Sequence, residues 1–442
     1  MIWETEEQGK YAPLRGRGKA DVAVIGGGLS GVTIALWLSR AGLKVVLVEA
    51  ERIGWGASGK SAGIAAACQK ACYADLEKEW GSAVSDAHAH THIKAIRSIA
   101  ELGSQADMRF GLQRTAGSLI AMDDGEARRL KLEAEAMRRA GLDAAEETCG
   151  SSPVPFTAGL KLPHVYLLNP VLYLNALTRR AESSGVSIYE HSRVVSVETD
   201  TIYTEEGSIQ APYIVVASGY PIVNTPGWYF VRLQQRRMAV SVLPSQSSDV
   251  FLSVDGSVAC RPYGKEMLIR SNGNQVGDEK WRTEETTWSS VLAASASAEA
   301  GESCFGVECF THDGLPYIGP YSAKTPNMFV ATGFGGNGIA GSMVAAHAVA
   351  SYILGLPAEG YEIYSPQRKM KNVKVPLHLG GKYLKGVFGG SQTPRCSHMG
   401  CRLVFNPLSR LWECPCHGSR FDDIGRVVNA PAVRAAQLRG RK

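Results

Sequence analysis

The sequence predicts a chain of α/β plus α+β character: a parallel-sheet part, an antiparallel-sheet part, and a small cysteine-rich module at the end. Three observations carry this. A glycine-rich turn joins two short apolar runs near the start, alternating apolar and polar runs fill the middle, and four of the ten cysteines fall between Cys396 and Cys416. A chain of 442 residues is also too long for one compact core. Apolar residues make up 45% and charged ones 20%, ordinary globular values that exclude disorder and low complexity. The net charge is +5 and forms no basic block before Arg439–Lys442, a poor footprint for nucleic acid. The 48 glycines point to tight turns and to backbone lying close to a ligand.

Taken in order, Ala20–Ile25 (ADVAVI) reads as a strand, GGGLSG as a turn, Val32–Arg40 as a helix and Lys44–Val48 as a second strand ending at Glu49. Helices follow over about Leu76–Leu102, Glu126–Ala140 and Tyr173–Ser184. A strand-rich patch holds Val194 and Tyr213–Ala217, and the runs YFVRL, MAVSVL and EMLIR between Trp228 and Arg270 predict an antiparallel sheet. Met328–Thr332 returns as a strand. From Gly338 to Gly360 the one charge is Glu359, but glycine, serine and alanine predominate, so a helix buried in protein is expected rather than a membrane span. After Leu356 a Pro-, Lys- and Tyr-rich linker runs to about Lys385. Met1–Lys10 lacks the apolar core of a secretory signal, and a cytoplasmic protein is expected.

Gly26, Gly28 and Gly31 fit G-x-G-x-x-G in full context: after a strand, opening a helix, with Glu49 at the end of the next strand. Such glycines permit the turn, the approach of a pyrophosphate and close helix packing. The helix N-terminus then offers N–H groups to phosphate, and Glu49 can accept ribose hydroxyls. This fingerprint alone does not separate FAD from NAD.

Other segments do. Arg52–Gly63 (RIGWGASGKSAG) resembles the second flavin-contacting loop of the D-amino-acid-oxidase-like superfamily of FAD-dependent oxidoreductases, of the glycine oxidase and D-amino-acid dehydrogenase type. It implies cofactor contacts at Arg52, Ser58, Ser61 and Ala62. Tyr213–Gly219 (YIVVASG) looks like a later strand of that family, implying contacts at Ala217 and Gly219, and Val194 stands where members place a backbone contact to adenine. Asp313 with GLPYIG, Gly314–Gly319, is similar to its return strand. Gly333–Gly338 (GFGGNG) spells a second G-x-G-x-x-G, but no strand–acid element follows it. In the family this turn, with Gly335, Asn337 and Gly338, aims a helix N-terminus at the flavin ring, where its dipole stabilises the charge gained on reduction. One FAD and no nicotinamide domain are thus implied. The resemblance divides the chain into an oxidoreductase over 1–371, with FAD-binding parts at about 18–105, 160–225 and 311–358 and substrate parts at about 106–159 and 226–310. A terminal module occupies 372–442.

CSHMGC (Cys396–Cys401) and CPCHGS (Cys414–Ser419) give C-x-H and C-x-x-H on either side of a hairpin-like segment. Spacing alone leaves zinc open, since two thiolates and two imidazoles suit it. Together the boxes resemble a Rieske [2Fe–2S] domain, which implies a small all-β module. Carried over, Cys396 and Cys414 bind one iron, His398 and His417 the other, and Cys401 and Cys416 form a disulfide. Histidine ligation raises the potential above that of plant-type ferredoxins. High-potential members carry a tyrosine two residues after the box-II serine; here Phe421 follows Ser419 and Arg420, which predicts a lower potential. The segment before Cys396 is short for the base strands of a full Rieske domain. The family's histidine edge faces solvent, which implies that electrons leave there.

The implied activity is oxidation of a C–N bond in an amine or amino acid, with electrons passing from FAD to the cluster in one-electron steps and on to an external acceptor, a protein or a quinone. The rival is an electron-transfer or redox-sensing flavoprotein whose cluster is regulatory or structural; a zinc-stapled oxidase is a third reading. Amino-acid oxidases of the superfamily place a carboxylate-clamping arginine where alignment on Thr311, Asp313 and Gly314 puts Glu308. A carboxylate there suits an ammonium, hence a secondary or polyamine-like amine. Arg261 and Tyr263, in CRPYG, are the alternative substrate residues. His88 and His92, four apart on a helix, read as a polar face, and Cys68 and Cys72 as packing thiols.

Overall fold

The computed structural model describes residues 2–3, 10–147, 156–244, 248–278, 303–369, 394–407 and 409–438. At its centre lies a six-stranded sheet ordered Ser187–Tyr189, Val45–Val48, Val22–Ile25, Tyr213–Gly219, Thr325–Thr332, Tyr317–Ser322. All neighbours run parallel except the last pair. Val22–Ile25 is buried at every position because both faces are covered, which is why it reads as an unbroken apolar run. Val22 and Val24 join the cluster formed with the helices Leu29–Arg40 and Gly338–Leu354. Ala23 and Ile25 face the opposite way, towards Ile202 and Ile209 of a four-stranded sheet. The alternation of strand side chains thus builds two cores from one strand.

The uncharged helix is Gly338–Leu354, buried along most of its length and closed by Gly355 in the left-handed region (φ +65°). Small residues let it approach: a Cβ on Gly341 would lie 2.5 Å from Phe334. Among the described residues no helix is long and apolar enough to cross a membrane. The helix expected over 76–102 is two, Tyr73–Trp80 and Ser82–Gly103, broken at Gly81 (φ +91°).

The antiparallel part is an eight-stranded sheet that begins at Ser303–Thr311, Leu233–Pro244, Glu266–Gln275 and Val258–Tyr263. Its strands Gly117–Ala121 and Ala158–Lys161 come from earlier in the chain. Leu233–Pro244 alternates buried and less buried positions as a one-sided strand should. A register shift at Arg236–Met238 interrupts its pairing beside the place where the terminal module docks.

That module is a meander of Val404–Asn406, Leu411–Glu413, Arg420–Phe421 and Val427–Asn429. Its small core holds Cys396, Cys401, Leu403, Cys414, Cys416, Phe421 and Val427. It leans on the large part through Glu413, fully buried, whose Oε2 accepts from Arg237 Nη2 (2.8 Å) and Gly277 N (3.0 Å). The expected linker beyond residue 369, any base strands before residue 394, and Arg439–Lys442 lie outside the described residues.

Candidate functional site

One long cavity runs over the C-terminal ends of the parallel strands, where such folds bind ligands. Gly26 and Gly28 line it at the turn; of the other predicted residues, Glu49, Ser58, Ser61, Val194, Ala217, Gly219, Gly335 and Gly338 lie on its walls. Gly26 has φ +111°, and a Cβ there would meet Ala217 O at 2.6 Å. Gly31 lies off the cavity and serves packing, since its Cβ would lie 1.9 Å from Gly26 O. Glu49 Oε2 accepts from Gly27 N (2.6 Å) and Oε1 from Glu51 N (2.8 Å), which fixes the carboxylate beneath the turn. Burial raises its pKa, and these two N–H bonds oppose that. Ser58 Oγ accepts from Leu29 N (2.9 Å) at the helix N-terminus.

Several predicted residues sit elsewhere. Arg52 stacks on Trp55 (4.8 Å), and Ala62 is buried with its carbonyl turned to Arg261. Asn337 borders a second, smaller cavity, where its Oδ1 accepts from Gln69 Nε2 (3.1 Å). Arg261 and Tyr263 do not line the main cavity. The Arg261 guanidinium donates to Ala62 O, Gly63 O and Leu168 O (3.2, 3.1 and 2.9 Å), and Tyr263 Oη donates to Ile2 O (2.9 Å). Both therefore hold the 61–63 loop and the N-terminal segment in place, a positioning task invisible in the sequence. Glu308 does line the cavity, paired with Arg270 (3.0 Å), a guanidinium 4% exposed.

Gln235, Cys309, Tyr220, Arg193, Phe334 and Ser342 line the cavity without having been foreseen. So do Val428, Asn429, Ala430, Ala432 and Val433, from the terminal module. Arg193 bonds Glu51 (2.7 Å) and Val427 O (3.2 Å) across the join, and Gln235 Nε2 donates to both His417 O and Ala430 O (2.8 Å each). No local signal marks these residues, and residues 428–433 join the wall only when the module docks.

In the terminal module His398 and His417 stand with rings perpendicular, 5.1 Å apart. His398 Nε2 is 2.5 Å from Asn224 Oδ1 and so carries the hydrogen, leaving the buried Nδ1 as a lone pair with no partner. That is the tautomer a metal ligand needs. Burial pushes the two imidazoles down to about 4 and about 3, keeping them neutral. The Cys396 thiol is raised, first by Cys414 and then by burial, and Ser419 opposes the rise; bound iron inverts this and deprotonates a coordinating thiol. The donor set fits a [2Fe–2S] cluster held by Cys396, Cys414, His398 and His417. The sulfurs of Cys401 and Cys416 lie within 4.8 Å of each other and of Cys414. The expected disulfide is not formed in this structure; the sulfurs are held by mutual thiol contacts that include Cys414.

The histidine edge does not face solvent as expected. His417 is 4% exposed, with Phe230 set edge-on to its ring at 5.7 Å, and His398 meets Asn224. Both contacts come from the 218–230 segment of the large part, so the edge points into the molecule.

Fold and site together define an oxidoreductase built for a dinucleotide cofactor and a terminal iron–sulfur module. The family model "FAD dependent oxidoreductase" (DAO) matches residues 21–352 and that of the Rieske [2Fe-2S] domain residues 391–439. The chain belongs to the FAD dependent oxidoreductase family and carries a C-terminal Rieske domain; the former binds FAD and the latter a [2Fe–2S] cluster. It is 24% identical to YhfW of Bacillus subtilis, whose name carries a Rieske 2Fe-2S designation, over 98% of this chain and 96% of that one. Gamma-glutamylputrescine oxidoreductase of Escherichia coli is 29% identical over 47% of this chain and 51% of its own length. Glycine oxidase from Geobacillus kaustophilus superposes with a TM-score of 0.66 at 20% identity, covering 80% of this chain and 100% of that one. L-proline dehydrogenase from P. horikoshii gives 0.67 at 18%, covering 80% and 98%. At these identities the structures show the fold alone.

Proposed function

We propose that the protein is an amine or amino-acid dehydrogenase that passes electrons from FAD to its own Rieske cluster and then to an external acceptor. The observation that carries this reading is the inward-facing histidine edge. His398 and His417 dock on Asn224 and Phe230, while the following residues of the same module wall the flavin cavity. FAD supplies a two-electron acceptor for a hydride from carbon next to nitrogen, and the cluster a one-electron acceptor.

This chain's own residues position both. The glycine turn, Glu49 and the N-terminus of Leu29–Arg40 would hold the dinucleotide, and the N-terminus of Gly338–Leu354 opens on the same cavity. Tyr220 is buried on the cavity wall, where the Cys309 and Cys414 thiols add to the upward push that burial gives its pKa. With Gln235 it fills the space between cavity and cluster loops with protein. The exposed residue of box I is Ser397, so delivery to a partner protein or quinone is assigned to that loop.

The name of the Escherichia coli relative, a gamma-glutamylputrescine oxidoreductase, supports an amine substrate. On the cavity wall Glu308 would receive the ammonium, and its partner Arg270 tempers that charge. Changing Glu308 to glutamine should raise KM for the preferred amine more than it lowers kcat; unchanged kinetics would remove Glu308 from the site.

The test of the whole is anaerobic titration with a panel of amines, followed by visible and low-temperature EPR spectra. Flavin bleaching with a simultaneous Rieske signal is expected. A cluster that stays oxidised while the flavin cycles with oxygen would overturn the proposal and favour a regulatory or structural cluster.

A further inference from the structure

Two residue pairs that the flavin and the cluster leave unused meet in one buried place. His88 and His92, which their spacing suggested as a polar helix face, are 7% and 2% exposed. Cys68 and Cys72 stand across a small cavity from them, and all four residues line it. Glu133, 1% exposed on the helix Asp124–Arg139, completes the group: its carboxylate and the two sulfurs lie within 4.8 Å of one another. We propose that Cys68, Cys72 and Glu133 bind a thiophilic divalent cation of the zinc type, whose fourth position opens onto the cavity walled by His88 and His92.

The donor chemistry fits. Two sulfurs and a carboxylate are a zinc ligand set, and three protein ligands with one open position are the arrangement of sites that keep a water or exchangeable ligand. Glu133 Oε1 accepts from Cys72 N and Tyr73 N (2.7 and 2.9 Å) and Oε2 from Ala74 N (2.9 Å). A carboxylate has about four acceptor positions, so one remains. These same bonds fix the oxygens against the start of helix Tyr73–Trp80, beside Cys72 at its N-cap. Among the described residues no ion pair includes Glu133, whereas the nearby arginines have partners: Arg129 with Asp75 and Arg139 with Glu77. A bound cation would supply the missing counter-charge and displace the thiol protons.

The histidines are poised rather than charged. His92 Nδ1 lies 3.0 Å from His88 O, so it carries the hydrogen and Nε2 keeps a lone pair. His88 Nδ1 lies 3.1 Å from Tyr364 Oη, and the two rings are 4.1 Å apart. Burial pushes both pKa values down, so neither imidazole repels a cation at neutral pH. Between the two cysteines, Gln69 bonds Asn337 on the glycine turn, so the metal loop is tied to the wall of the flavin cavity.

The experiment is metal analysis of full-length protein from zinc-supplemented cells. About one zinc per chain is expected beyond the cluster iron. Co2+ exchanged into the site should show thiolate charge-transfer bands. Cys68→Ser and Cys72→Ser should each lose the zinc and weaken Co2+ binding at least about tenfold, the loss already seen for outer-shell changes, with iron and FAD content unchanged. Iron alone in the wild type, with no Co2+ taken up, would overturn the proposal, and so would zinc retained by both serine variants. If the variants lose FAD as well, X-ray absorption at the metal edge of the wild type decides: two sulfur neighbours support the site and none refutes it.

Discussion

Replacing Glu413 by glutamine removes one negative charge and almost no volume. In the protein that carboxylate is 0% exposed and lies between two guanidinium groups, Arg237 at 2.8 Å from the large part and Arg420 at 3.4 Å from its own module. Oε2 also accepts from Gly277 N at 3.0 Å. The amide can keep one acceptor, but its NH2 group must then face a guanidinium, and both arginines lose their counter-charge. Breaking a buried pair from one side costs about 3–5 kcal/mol. Arg237 retains some exposure (18%), which places the cost near the lower end. About 3 kcal/mol is about a hundredfold in the docking equilibrium. Hydrogen exchange reads this directly, because the Gly277 amide is protected by Glu413 only while the module is docked. In Glu413→Gln that amide should exchange about a hundredfold faster, while cluster EPR intensity persists and reduction of the cluster by reduced flavin slows. Unchanged protection at Gly277, in a variant with full iron content, would refute the claim that this ion pair holds the module down.

Three further outcomes follow from the same geometry. Gly31→Ala should yield protein without FAD absorbance, because a Cβ 1.9 Å from Gly26 O forces the turn apart; a fully yellow variant would show that the turn tolerates the shift. Asn224→Leu removes the acceptor for His398 Nε2–H, makes that ligand less basic and should raise the cluster potential in an EPR-monitored titration. An unchanged potential would mean that the contact does not persist in solution. His347 is held neutral, chiefly by burial and secondly by Lys94, with its pKa lowered to about 4. The unfolded chain takes up that proton nearer 6.5, so the stabilisation is whole above pH 6.5 and is lost as pH falls towards 4. His347→Gln should therefore lose less Tm across that window than the wild type, as scanning calorimetry would show.

What the sequence determined by itself is the part of the protein fixed by short-range rules. Gly26, Gly28 and Gly31 follow a strand and open a helix, and a Cβ at Gly26 or Gly31 would collide with backbone. The two Cys–His boxes lie in one small module, whose core their cysteines share, as the Rieske resemblance implies. Glu308, singled out by alignment with the resembled family on Thr311, Asp313 and Gly314, does stand on the cavity wall. Tertiary structure decided the rest. Arg261 and Tyr263 looked like substrate residues because a guanidinium and a phenol suit a pocket, yet long-range packing gave them carbonyl partners from residues 2, 62, 63 and 168. The pairs Cys68/Cys72 and His88/His92 looked inert one at a time, and only tertiary packing set them around one cavity and brought Glu133 to the two cysteines. Above all, which face of the terminal module turns to the large part depends on the pairs Glu413–Arg237, Gln235–His417 and His398–Asn224, each more than a hundred residues apart in the chain. Local periodicity carries no information about such contacts, because their free energy comes from burial and charge pairing that exist only once the module has docked.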